Sequence, residues 1–566
     1  MESDKPIWRE CYSHPVAWDT AFEPMSLPDM LLEKAEQTPL APVIDFMGRK
    51  FSYSDVAGGA RRVARGLLDL GIGRGDRVGL FLPNVPHYVA AYYGAMMMGA
   101  TVVNFSPLYT VEELKYQAED SGTKLLFTLS VKALLPRALE VLNQSCIEQL
   151  VVGSIAGALP TGKSLLYRLF KAEDEADVPE DDRRITRFSA LIANDGDCPP
   201  VPIDPVNDIA LLQYTGGTTG TPKGAMLTHQ NLTANARQVA VCDPNVNESD
   251  RAIGALPLFH VFANTCVLNR TIARGGEMVL LPRFNAKQVM DAIERTRAPL
   301  MFGVPTMYQA MLDSPALHGA DLSALKVCIS GGAPLPQELK LRFEEATGAR
   351  IVEGYGLTES SGVVSSNPYE GGNKQGSIGH PMPGTRVKLL NREDPTRDAD
   401  PGEPGELAFS GPQVMKGYWR RPEADKDVFV GGYLRTGDVA TIDAEGYIRI
   451  VDRIKDMITV GGFKVFPSQV EAVLYRHPAV KEALVIGIPD AYRGESPKAF
   501  VALREGCMAS GDELKIWLNP QVGKHEQVVA VEIRDSLPKT LVGKLSRKEL
   551  VAEEREKYDA AKRANG

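Results

Sequence analysis

Residues 214–224 combine the residue types that a bound polyphosphate requires. The segment reads Tyr-Thr-Gly-Gly-Thr-Thr-Gly-Thr-Pro-Lys-Gly. Its glycines let the backbone turn sharply and direct successive N–H groups into one concave nest for an anion. The threonine hydroxyls add hydrogen-bond donors, and Lys223 adds a mobile positive charge. The segment is therefore predicted to bind the phosphates of a nucleotide; a glycine-rich surface turn is the alternative.

The elements that would position this loop flank it on both sides. Residues 209–212 are apolar and predict a strand before the loop. Residues 229–235 predict the start of a helix after it. We therefore expect the loop to leave the end of a strand in an α/β domain.

Three further blocks of similar character follow along the chain. Residues 353–360 read Glu-Gly-Tyr-Gly-Leu-Thr-Glu-Ser, residues 433–438 read Tyr-Leu-Arg-Thr-Gly-Asp, and residues 537–544 read Leu-Pro-Lys-Thr-Leu-Val-Gly-Lys. In this order and at these intervals, the four blocks resemble the adenylate-forming superfamily of acyl-CoA synthetases, luciferases and peptide-synthetase adenylation domains. The resemblance extends from about Leu27 to about Glu549.

This resemblance implies a reaction in two steps. A carboxylate oxygen attacks the α-phosphate of ATP, which gives an acyl-adenylate and releases pyrophosphate, and CoA then takes the acyl group. Because the first step brings negative charges together, the site must supply cations and hydrogen-bond donors. The implied cofactors and co-substrates are ATP, Mg²⁺ and CoA, and the third small-molecule partner is a fatty acid.

The resemblance assigns the nucleotide to two sets of residues. The phosphates are assigned to Tyr214, Thr215, Gly216, Gly217, Thr218, Thr219, Gly220, Thr221, Pro222, Lys223 and Gly224. The base and the adenylate phosphate are assigned to Gly331, Gly332, Ala333, Glu353, Gly354, Tyr355, Gly356, Leu357 and Thr358. Within this second set, Tyr355 would stack on adenine and Thr358 would contact the adenylate phosphate. The glycine pair by itself fits a plain strand-to-helix turn equally well.

Asp438 and Glu359 are the carboxylates to which the resemblance gives a role. Asp438 suits both ribose hydroxyls as a charged acceptor, and Arg453 matches its usual companion. Glu359, with Thr218 nearby, matches the magnesium ligand; one carboxylate with phosphate oxygens and waters is enough, since Mg²⁺ seldom uses an all-protein cage. From the residues alone, Asp438 would lie in a turn and Glu359 would be an acid at a helix N-terminus.

Four residues are assigned to catalysis by the same resemblance. Lys544 would reach the carboxylate and the α-phosphate oxygens, Thr218 belongs to the phosphate loop, His260 would lie beside the acyl pocket, and Lys455 would be the pivot of a domain hinge. His260 also fits a packed core histidine. Lys455 also fits an ordinary solvated charge cluster.

Gly461 and Gly462 match the loop that lines the passage for the pantetheine arm of CoA. A hairpin turn is the alternative for this glycine pair. The segment 518–525 departs from the family pattern, which leaves the CoA contacts of the C-terminal domain open.

The acid is indicated by a subgroup of the superfamily. Gly216 stands where a serine is usual, and residues 224–229 read Gly-Ala-Met-Leu-Thr-His. These features, with residues 417–419, resemble bacterial long-chain fatty acyl-CoA synthetases. The prediction is a long-chain fatty-acid–CoA ligase. An aryl- or medium-chain acyl-CoA ligase of the same fold is the alternative, and a non-catalytic scaffold and a P-loop NTPase are the alternatives from other classes.

A second phosphate-loop pattern lies at residues 157–164. It reads Gly-Ala-Leu-Pro-Thr-Gly-Lys-Ser and fits G-x-x-x-x-G-K-S, with Lys163 as the lysine. No apolar strand ending in Asp accompanies it as a magnesium-binding partner. We interpret it as part of a variable surface insertion over residues 157–205, outside the active site.

Length and periodicity predict a multidomain α/β protein. A chain of 566 residues is too long for one core. We predict an arm over residues 1–25, a large domain over 26–452 and a small, mobile α+β domain over 453–566. The large domain would hold two α/β subdomains, the second starting at Ile209, and a strand-rich subdomain. Pro467 predicts a helix start in the C-terminal domain.

Charge and cysteine content exclude several classes of protein. A net charge of −9 and a pI near 5.6 argue against a nucleic-acid partner bound through a basic face. The seven cysteines contain no C-x-x-C pair, which predicts neither a disulfide framework nor a zinc site. We find no signal core and no membrane span. We expect a cytoplasmic protein, with peripheral contact at the inner membrane face and a homodimeric state as further expectations.

Overall fold

The computed structural model describes residues 7–170, 174–215, 221–244, 250–490, 492–540 and 543–564. The α-helices are α1 Leu27–Gln37, α2 Tyr53–Asp69, α3 Pro86–Met97, α4 Val111–Ser121, α5 Leu135–Gln144, α6 Ile155–Ala158, α7 Thr161–Phe170, α8 Phe188–Leu191, α9 His229–Val241, α10 Val261–Ala263, α11 Arg270–Arg274, α12 Ala286–Thr296, α13 Pro305–Leu312, α14 Gln337–Thr347, α15 Pro422–Val428, α16 Pro467–Leu474, α17 Gly511–Leu518 and α18 Lys548–Ala564. Short 3₁₀ helices cover Ile7–Arg9, Pro315–Gly319, Thr358–Ser360, Ile454–Asp456 and Asn519–Gln521, and a π-helical turn covers Asn264–Asn269.

The strands of the described residues form four sheets. They are β1 Pro42–Phe46, β2 Arg49–Ser52, β3 Arg77–Leu80, β4 Thr101–Asn104, β5 Leu125–Leu129, β6 Gln149–Gly153, β7 Ile185–Arg187, β8 Ile209–Thr215, β9 Lys223–Thr228, β10 Arg251–Gly254, β11 Glu277–Leu280, β12 Leu300–Gly303, β13 Val327–Ser330, β14 Arg350–Tyr355, β15 Ser365–Ser366, β16 His380–Pro381, β17 Arg386–Leu390, β18 Gly405–Ser410, β19 Phe429–Val430, β20 Tyr433–Ile442, β21 Ile448–Arg453, β22 Ile458–Val460, β23 Phe463–Val465, β24 Val480–Asp490, β25 Gly494–Leu503 and β26 Ala530–Ile533.

Two large sheets, with helices between their parallel strands, confirm the predicted α/β class. The first has the order β7-β6-β5-β3-β4-β8-β9 and is parallel except for the β8–β9 pair. The second has the order β16-β15-β14-β13-β12-β10-β11-β1-β2 and is parallel from β14 to β1. Strands β4 and β5 are buried at every position. Burial on both faces explains why these strands appear in the sequence as unbroken apolar runs.

The prediction that the second α/β half begins at Ile209 assigns two hairpins to the wrong half. Strands β8 and β9 flank the predicted phosphate loop; β8 pairs with β4 and β9 pairs with β8, so both belong to the first sheet. Strands β1 and β2, near the start of the chain, belong to the second sheet, where Ile44 lies opposite Met278 of β11. The alternation of strands and helices predicts the class of each element, whereas the choice of sheet depends on contacts between residues far apart in sequence.

The insertion predicted over residues 157–205 is also wrong in part. Strand β7 extends the first sheet beside β6. Leu191 of α8 is buried, and a Cβ atom added to Gly66 of α2 would lie 2.4 Å from the Leu191 carbonyl oxygen. The end of this segment is therefore packed into the domain instead of lying over its surface.

A strand-rich unit and a C-terminal unit complete the chain. The third sheet has the order β17-β18-β20-β19, with β21 beside β20. The fourth has the order β23-β22-β25-β24, with β26 beside β25. One buried apolar cluster ends at Ile448 and the next begins at Ile458. This gap supports our proposal of a domain boundary near residue 452, and α16 begins at Pro467 as predicted.

The N-terminal arm lies against the strand-rich unit. Trp8 is buried, and a Cβ atom added to Gly446 would lie 2.6 Å from the Trp8 Cβ atom. The Trp18 indole donates to the carbonyl of Thr385 at 2.9 Å, and the Tyr12 hydroxyl donates to the carbonyl of Pro381 at 2.7 Å. The arm is thus packed and hydrogen-bonded along its described length. Within the described ranges, no helix is both long and apolar enough to cross a membrane.

The second phosphate-loop pattern does not form a phosphate loop. Its first two residues end α6 and its last four begin α7, so only Leu159 and Pro160 lie between the helices and no glycine-rich loop precedes α7. The Lys163 ammonium donates to the carbonyl of Met47 at 2.8 Å on the protein surface. The interpretation of residues 157–164 as unrelated to nucleotide binding is consistent with this geometry.

We expect Lys163→Ala to leave ATP-dependent pyrophosphate release within about twofold of the unaltered protein, because an exposed substitution usually changes free energies by less than about 0.5 kcal/mol. Pyrophosphate release in a coupled assay measures this, with a thermal melt as the control for folding. A loss of more than about tenfold in protein that melts normally would contradict the assignment.

Candidate active site

The predicted phosphate loop joins the two strands of a hairpin. Strands β8 and β9 pair in antiparallel register, with Thr215 opposite Lys223 and Tyr214 opposite Gly224. Helix α9 follows β9, and its first turn is closed by a capping box in which Thr228 and Asn231 exchange hydrogen bonds. The strand before the loop and the helix after it are confirmed; the strand between them was not predicted. Five of the assigned residues, Gly216, Gly217, Thr218, Thr219 and Gly220, lie outside the described residues.

The base of this hairpin rests on Asp120 of α4. The Tyr214 hydroxyl donates to one Asp120 carboxylate oxygen at 2.6 Å, and Arg421 donates to the other at 2.5 Å. Burial and the carboxylate raise the pKa of Tyr214, so its hydroxyl keeps the proton that it donates. Asp120 and Arg421 were not predicted as site residues. Neither lies in a glycine-rich block, so the sequence gives no sign of their role.

Tyr418 connects the phosphate hairpin to the acidic block. Its hydroxyl donates to the Glu359 carboxylate at 2.7 Å, and the Lys223 ammonium lies 5.1 Å from the centre of its ring. The ring is buried, and its backbone N–H donates to Asp425 at 2.7 Å. A single side chain therefore contacts both the lysine assigned to phosphate and the carboxylate assigned to magnesium. The sequence indicated residues 417–419 only as a subgroup feature.

Glu359 is suited to a magnesium ion but does not form a cage for one. It lies in the 3₁₀ helix Thr358–Ser360, and its backbone carbonyl accepts from Met415 at 2.8 Å. The described ranges contain no cluster of three or more His, Cys, Asp or Glu side chains able to hold a metal. A single carboxylate fits Mg²⁺ that takes its other ligands from phosphate and water.

Close approaches of the backbone explain the glycines around the cleft. A Cβ atom added to Gly331 would lie 2.9 Å from the Phe262 ring, and one added to Gly356 would lie 2.0 Å from the Gly362 carbonyl oxygen. Gly332 has φ +80°, and its added Cβ would lie 2.5 Å from Cε of Lys544. The stem of the C-terminal lysine thus passes directly over this glycine.

The other residues assigned to the base lie at the carboxyl ends of β13 and β14. Ala333 follows β13, and Glu353, Gly354 and Tyr355 end β14. Glu353 accepts from the backbone N–H of Leu335 at 3.1 Å, and burial raises the pKa of Glu353 to about 7. Carboxyl ends of neighbouring parallel strands form the crevice in which open α/β sheets bind ligands.

Leu357 and Thr358 complete this edge of the cleft. The backbone N–H of Leu357 is held by the Ser360 hydroxyl at 2.9 Å, and Thr358 begins the 3₁₀ helix that carries Glu359. The contacts of these residues with a nucleotide stay predictions.

Asp438 is held by the two residues assigned beside it. Arg453, directly opposite on β21, places its Nε atom 3.1 Å from one carboxylate oxygen, and the Tyr355 hydroxyl donates to the other at 2.5 Å. Asp438 is buried within strand β20, so its interpretation as a turn residue is wrong. These contacts place Asp438, which is assigned to the ribose, beside Tyr355, which is assigned to adenine. The stacking of Tyr355 on adenine stays a prediction.

Lys544 and His260 meet at one apolar cavity. The cavity is lined by Leu256, Pro257, His260, Phe262, Ala263, Val304 and Lys544. Burial, and then the positive charge of Arg453, lower the pKa of Lys544 to about 8. Burial and Lys544 lower the pKa of His260 to about 3. His260 is therefore neutral, and its Nδ1 accepts from the backbone N–H of Phe262 at 3.3 Å.

Lys455 lies outside this cavity, at the junction of the two units. It is exposed in the 3₁₀ helix Ile454–Asp456, which separates β21 from β22. The junction is anchored on both sides, since Asp452 accepts from the Ser468 N–H at 2.9 Å and Arg547 lies 3.3 Å from Asp456. Lys455 thus lies between Asp452 and Asp456, whose carboxylates are both held by residues of the C-terminal domain. This position suits a hinge, and the hinge role of Lys455 stays a prediction.

Gly461 and Gly462 form the turn between β22 and β23. Their φ angles of +57° and +87° are those of a two-residue hairpin turn. Phe463 beside them is 63 % exposed and stacks on His525 at 5.2 Å. The hairpin alternative is therefore right about their geometry, and their contact with pantetheine stays a prediction.

Comparisons with known proteins agree with this arrangement. The sequence profile of a family described as AMP-binding enzyme matches residues 31–419, and that of the AMP-binding enzyme C-terminal domain matches residues 469–544. A long-chain-fatty-acid–CoA ligase of Bacillus subtilis (strain 168) is 40% identical over 561 residues, covering 99% of this chain and 100% of that protein. A feruloyl-CoA synthase of an Amycolatopsis species is 37% identical over 520 residues, covering 92% and 97%. The crystal structure of ATP-bound MatB from Rhodopseudomonas palustris superposes with a TM-score of 0.82 at 28% identity, covering 94% and 99%.

We expect Tyr418→Phe to weaken the response to magnesium. The change removes the hydrogen bond to Glu359 and keeps the ring beneath Lys223. Because hydrogen bonds to charged groups contribute roughly 1.5–3 kcal/mol, the Mg²⁺ concentration for half-maximal ATP binding should rise about tenfold. Calorimetric ATP titrations at a series of Mg²⁺ concentrations measure this. Tyr447→Phe, which removes a hydroxyl bonded to the Gly372 carbonyl, is the control; an unchanged Mg²⁺ requirement in Tyr418→Phe would contradict the role.

We expect the first half-reaction to fail at alkaline pH through Lys544. The cation exists below its pKa of about 8 and is lost as pH rises through that value. The kcat/KM for acid-dependent pyrophosphate release, which reports groups of the free enzyme, should therefore fall about tenfold per pH unit above that point. Lys544→Arg should be slower but free of this fall, since guanidinium stays charged. A profile that falls equally in both proteins would exclude Lys544 as its cause.

Proposed function

Because the chain belongs to the AMP-binding enzyme family, we propose that it is a long-chain fatty-acid–CoA ligase that uses ATP to convert a fatty acid to its acyl-adenylate and then to acyl-CoA. The observation that carries this proposal is the position of Lys544. Its side chain lies over Gly332 and lines the apolar cavity beside His260. A cation is thus held where an apolar acid and a nucleotide would meet.

The residues around Lys544 have separate roles in the first step, the formation of the acyl-adenylate. Lys223 and the hairpin backbone bind the β- and γ-phosphates, and Asp438 with Arg453 holds the ribose. Lys544 binds the carboxylate and the α-phosphate oxygens, so that their negative charges approach a fixed cation. Magnesium, held by Glu359, Thr218 and phosphate oxygens, would neutralise charge on the departing pyrophosphate.

His260 lines the cavity as a neutral side chain, so it does not compete with Lys544 for the carboxylate of the acid. With its pKa lowered to about 3, it carries no charge at physiological pH. It therefore neither repels the Lys544 ammonium nor binds the carboxylate as an ion partner. Its role is to line the acyl site next to the reacting group.

The second step requires the C-terminal domain to turn. Lys544 fills the space beside the acyl carbon, so CoA can approach only after residues 453–566 have moved relative to residues 26–452. Lys455 is the proposed pivot, and the hairpin at Gly461 and Gly462 would then line the path of pantetheine. A domain that turns between two half-reactions allows one site to carry out both of them.

The acid is proposed from the relatives and from the apolar lining. Bacillus subtilis has a long-chain-fatty-acid–CoA ligase that matches this chain over its whole length. The feruloyl-CoA synthase at 37% identity supports an aryl acid as the alternative. The free space in the cavity is about 10 Å³, roughly enough for one water molecule, so a fatty-acid chain requires neighbouring side chains to move.

The setting in the cell is part of the same proposal. A long-chain acid partitions into lipid, so we infer a cytoplasmic protein with peripheral contact at the inner membrane face. The homodimer expected from the sequence can be tested by the mass of the protein in solution.

We expect acids of about 12–18 carbons to give the highest kcat/KM, because each CH₂ group that enters an apolar site adds up to ~0.8 kcal/mol. Acid-dependent pyrophosphate release across a panel from acetate to stearate, with ferulate and coumarate, measures this. A maximum at or below about eight carbons would contradict the long-chain assignment, and preference for ferulate would establish the aryl alternative. Pyrophosphate release that needs no acid would overturn the proposed ligase activity.

A further inference from the structure

Thr306 makes a hydrogen bond between the N-terminal and C-terminal domains at the catalytic loop, whose described residues are Thr540, Gly543 and Lys544. It lies in the first turn of α13, which begins at Pro305 shortly after β12 ends. Its hydroxyl donates to the backbone carbonyl of Gly543 at 3.1 Å. Gly543 immediately precedes Lys544, so this bond fixes the backbone one residue from the catalytic cation.

The catalytic loop is also held from its own domain. The backbone N–H of Lys544 donates to the Thr540 hydroxyl at 3.1 Å, and the N–H of Gly543 donates to the Thr540 carbonyl at 2.9 Å. Gly543 has φ +82°, a left-handed conformation that suits glycine. Thr540, Gly543 and Lys544 are thus held together, and the Gly543 carbonyl points to Thr306.

Two ion pairs join the same faces of the domains. Arg504 of the C-terminal domain lies 2.9 Å from Glu338 of α14, and Lys481 lies 3.6 Å from Asp313 at the end of α13. Such partly exposed pairs each contribute little to stability. They show that α13 and α14 form the face on which the C-terminal domain rests when Lys544 is in the cavity.

We propose that Thr306 is a positioning residue for Lys544 in acyl-adenylate formation, and in that half-reaction alone. The inference rests on the proposed ligase function. By holding the Gly543 carbonyl, Thr306 fixes the lysine stem over Gly332 and its ammonium beside His260. A misplacement of about 1 Å at a reacting group can lower a rate about 100-fold, so a single bond next to the cation is sufficient to matter. When the C-terminal domain turns for the second step, Lys544 leaves the cavity and the bond has no role.

The test is Thr306→Val, which keeps the shape of the side chain and removes the donor. We expect single-turnover formation of acyl-adenylate to fall about tenfold or more, with the KM for the fatty acid within about twofold. Conversion of supplied acyl-adenylate and CoA to the thioester should stay within about twofold. Thr306→Ser restores the hydroxyl and should recover adenylate formation to within about threefold of the unaltered enzyme.

Unchanged adenylate formation in Thr306→Val would overturn the inference, as would an equal loss in both half-reactions in protein that melts normally. A raised KM for the acid with unchanged kcat would also overturn it, since that would mark Thr306 as an acyl-pocket residue. If the unaltered enzyme releases no acid-dependent pyrophosphate, the proposed function fails instead.

Thr306→Ala removes the same donor and tests the inference if the Val variant does not fold. It should lower acyl-adenylate formation about tenfold or more and leave thioester formation from supplied acyl-adenylate within about twofold. Unchanged adenylate formation in a folded Ala variant would overturn the inference.

Discussion

A lysine carried by one domain reaches into a cavity of another, and the remaining features of the site depend on this placement. The burial that lowers the pKa of Lys544 to about 8 also removes the water that would screen its charge. The ammonium is therefore a strong partner for developing negative charge, although it is costly to hold there without a ligand. The neutral state of His260 and the bare backbone of Gly332 both reduce that cost, because neither adds a like charge or a clashing atom.

The phosphate side of the cleft is held by residues from distant parts of the chain. Asp120 supports the hairpin from below through Tyr214 and Arg421, and Tyr418 connects Lys223 with Glu359. These bonds link the first sheet, the residues that follow β14 of the second sheet, and the segment between β18 and α15. A shift in any one of them would move Lys223 relative to Glu359. The rigidity of this side contrasts with the C-terminal domain, which is joined through one short helix and a small set of polar contacts.

This contrast suits a reaction with two chemical steps. The residues proposed to bind adenine, ribose and phosphate can stay in place, while Lys544, which is proposed to leave before CoA enters, lies on the C-terminal domain. The contacts that hold the C-terminal domain down, from Thr306, Glu338 and Asp313, are single hydrogen bonds or partly exposed ion pairs. Interactions of this size can be made and broken within each catalytic cycle.

The sequence by itself determined the features that depend on local backbone chemistry. The glycines and threonines of residues 214–224 indicated a phosphate loop, the apolar run at 209–212 indicated its strand, and Pro467 indicated the start of α16. The family resemblance then brought Lys544, Asp438 and His260 to one site, although they are far apart in the chain. The strand and the helix start are confirmed, because the residue type limits the local conformation. The binding roles of residues 214–224, Lys544, Asp438 and His260 stay predictions.

Only the tertiary structure decided how those pieces meet. It placed β8 and β9 in the first sheet and β1 in the second, and it showed that the pattern at residues 157–164 lies largely in helices. It also showed the contacts of Asp120, Tyr418 and Thr306; of these, the sequence analysis had indicated only Tyr418, as part of the subgroup feature at residues 417–419. Their roles depend on contacts with residues that lie between about 60 and 300 positions away in the sequence. Such contacts are set by the packing of whole sheets and domains, and no local pattern of residue types encodes them.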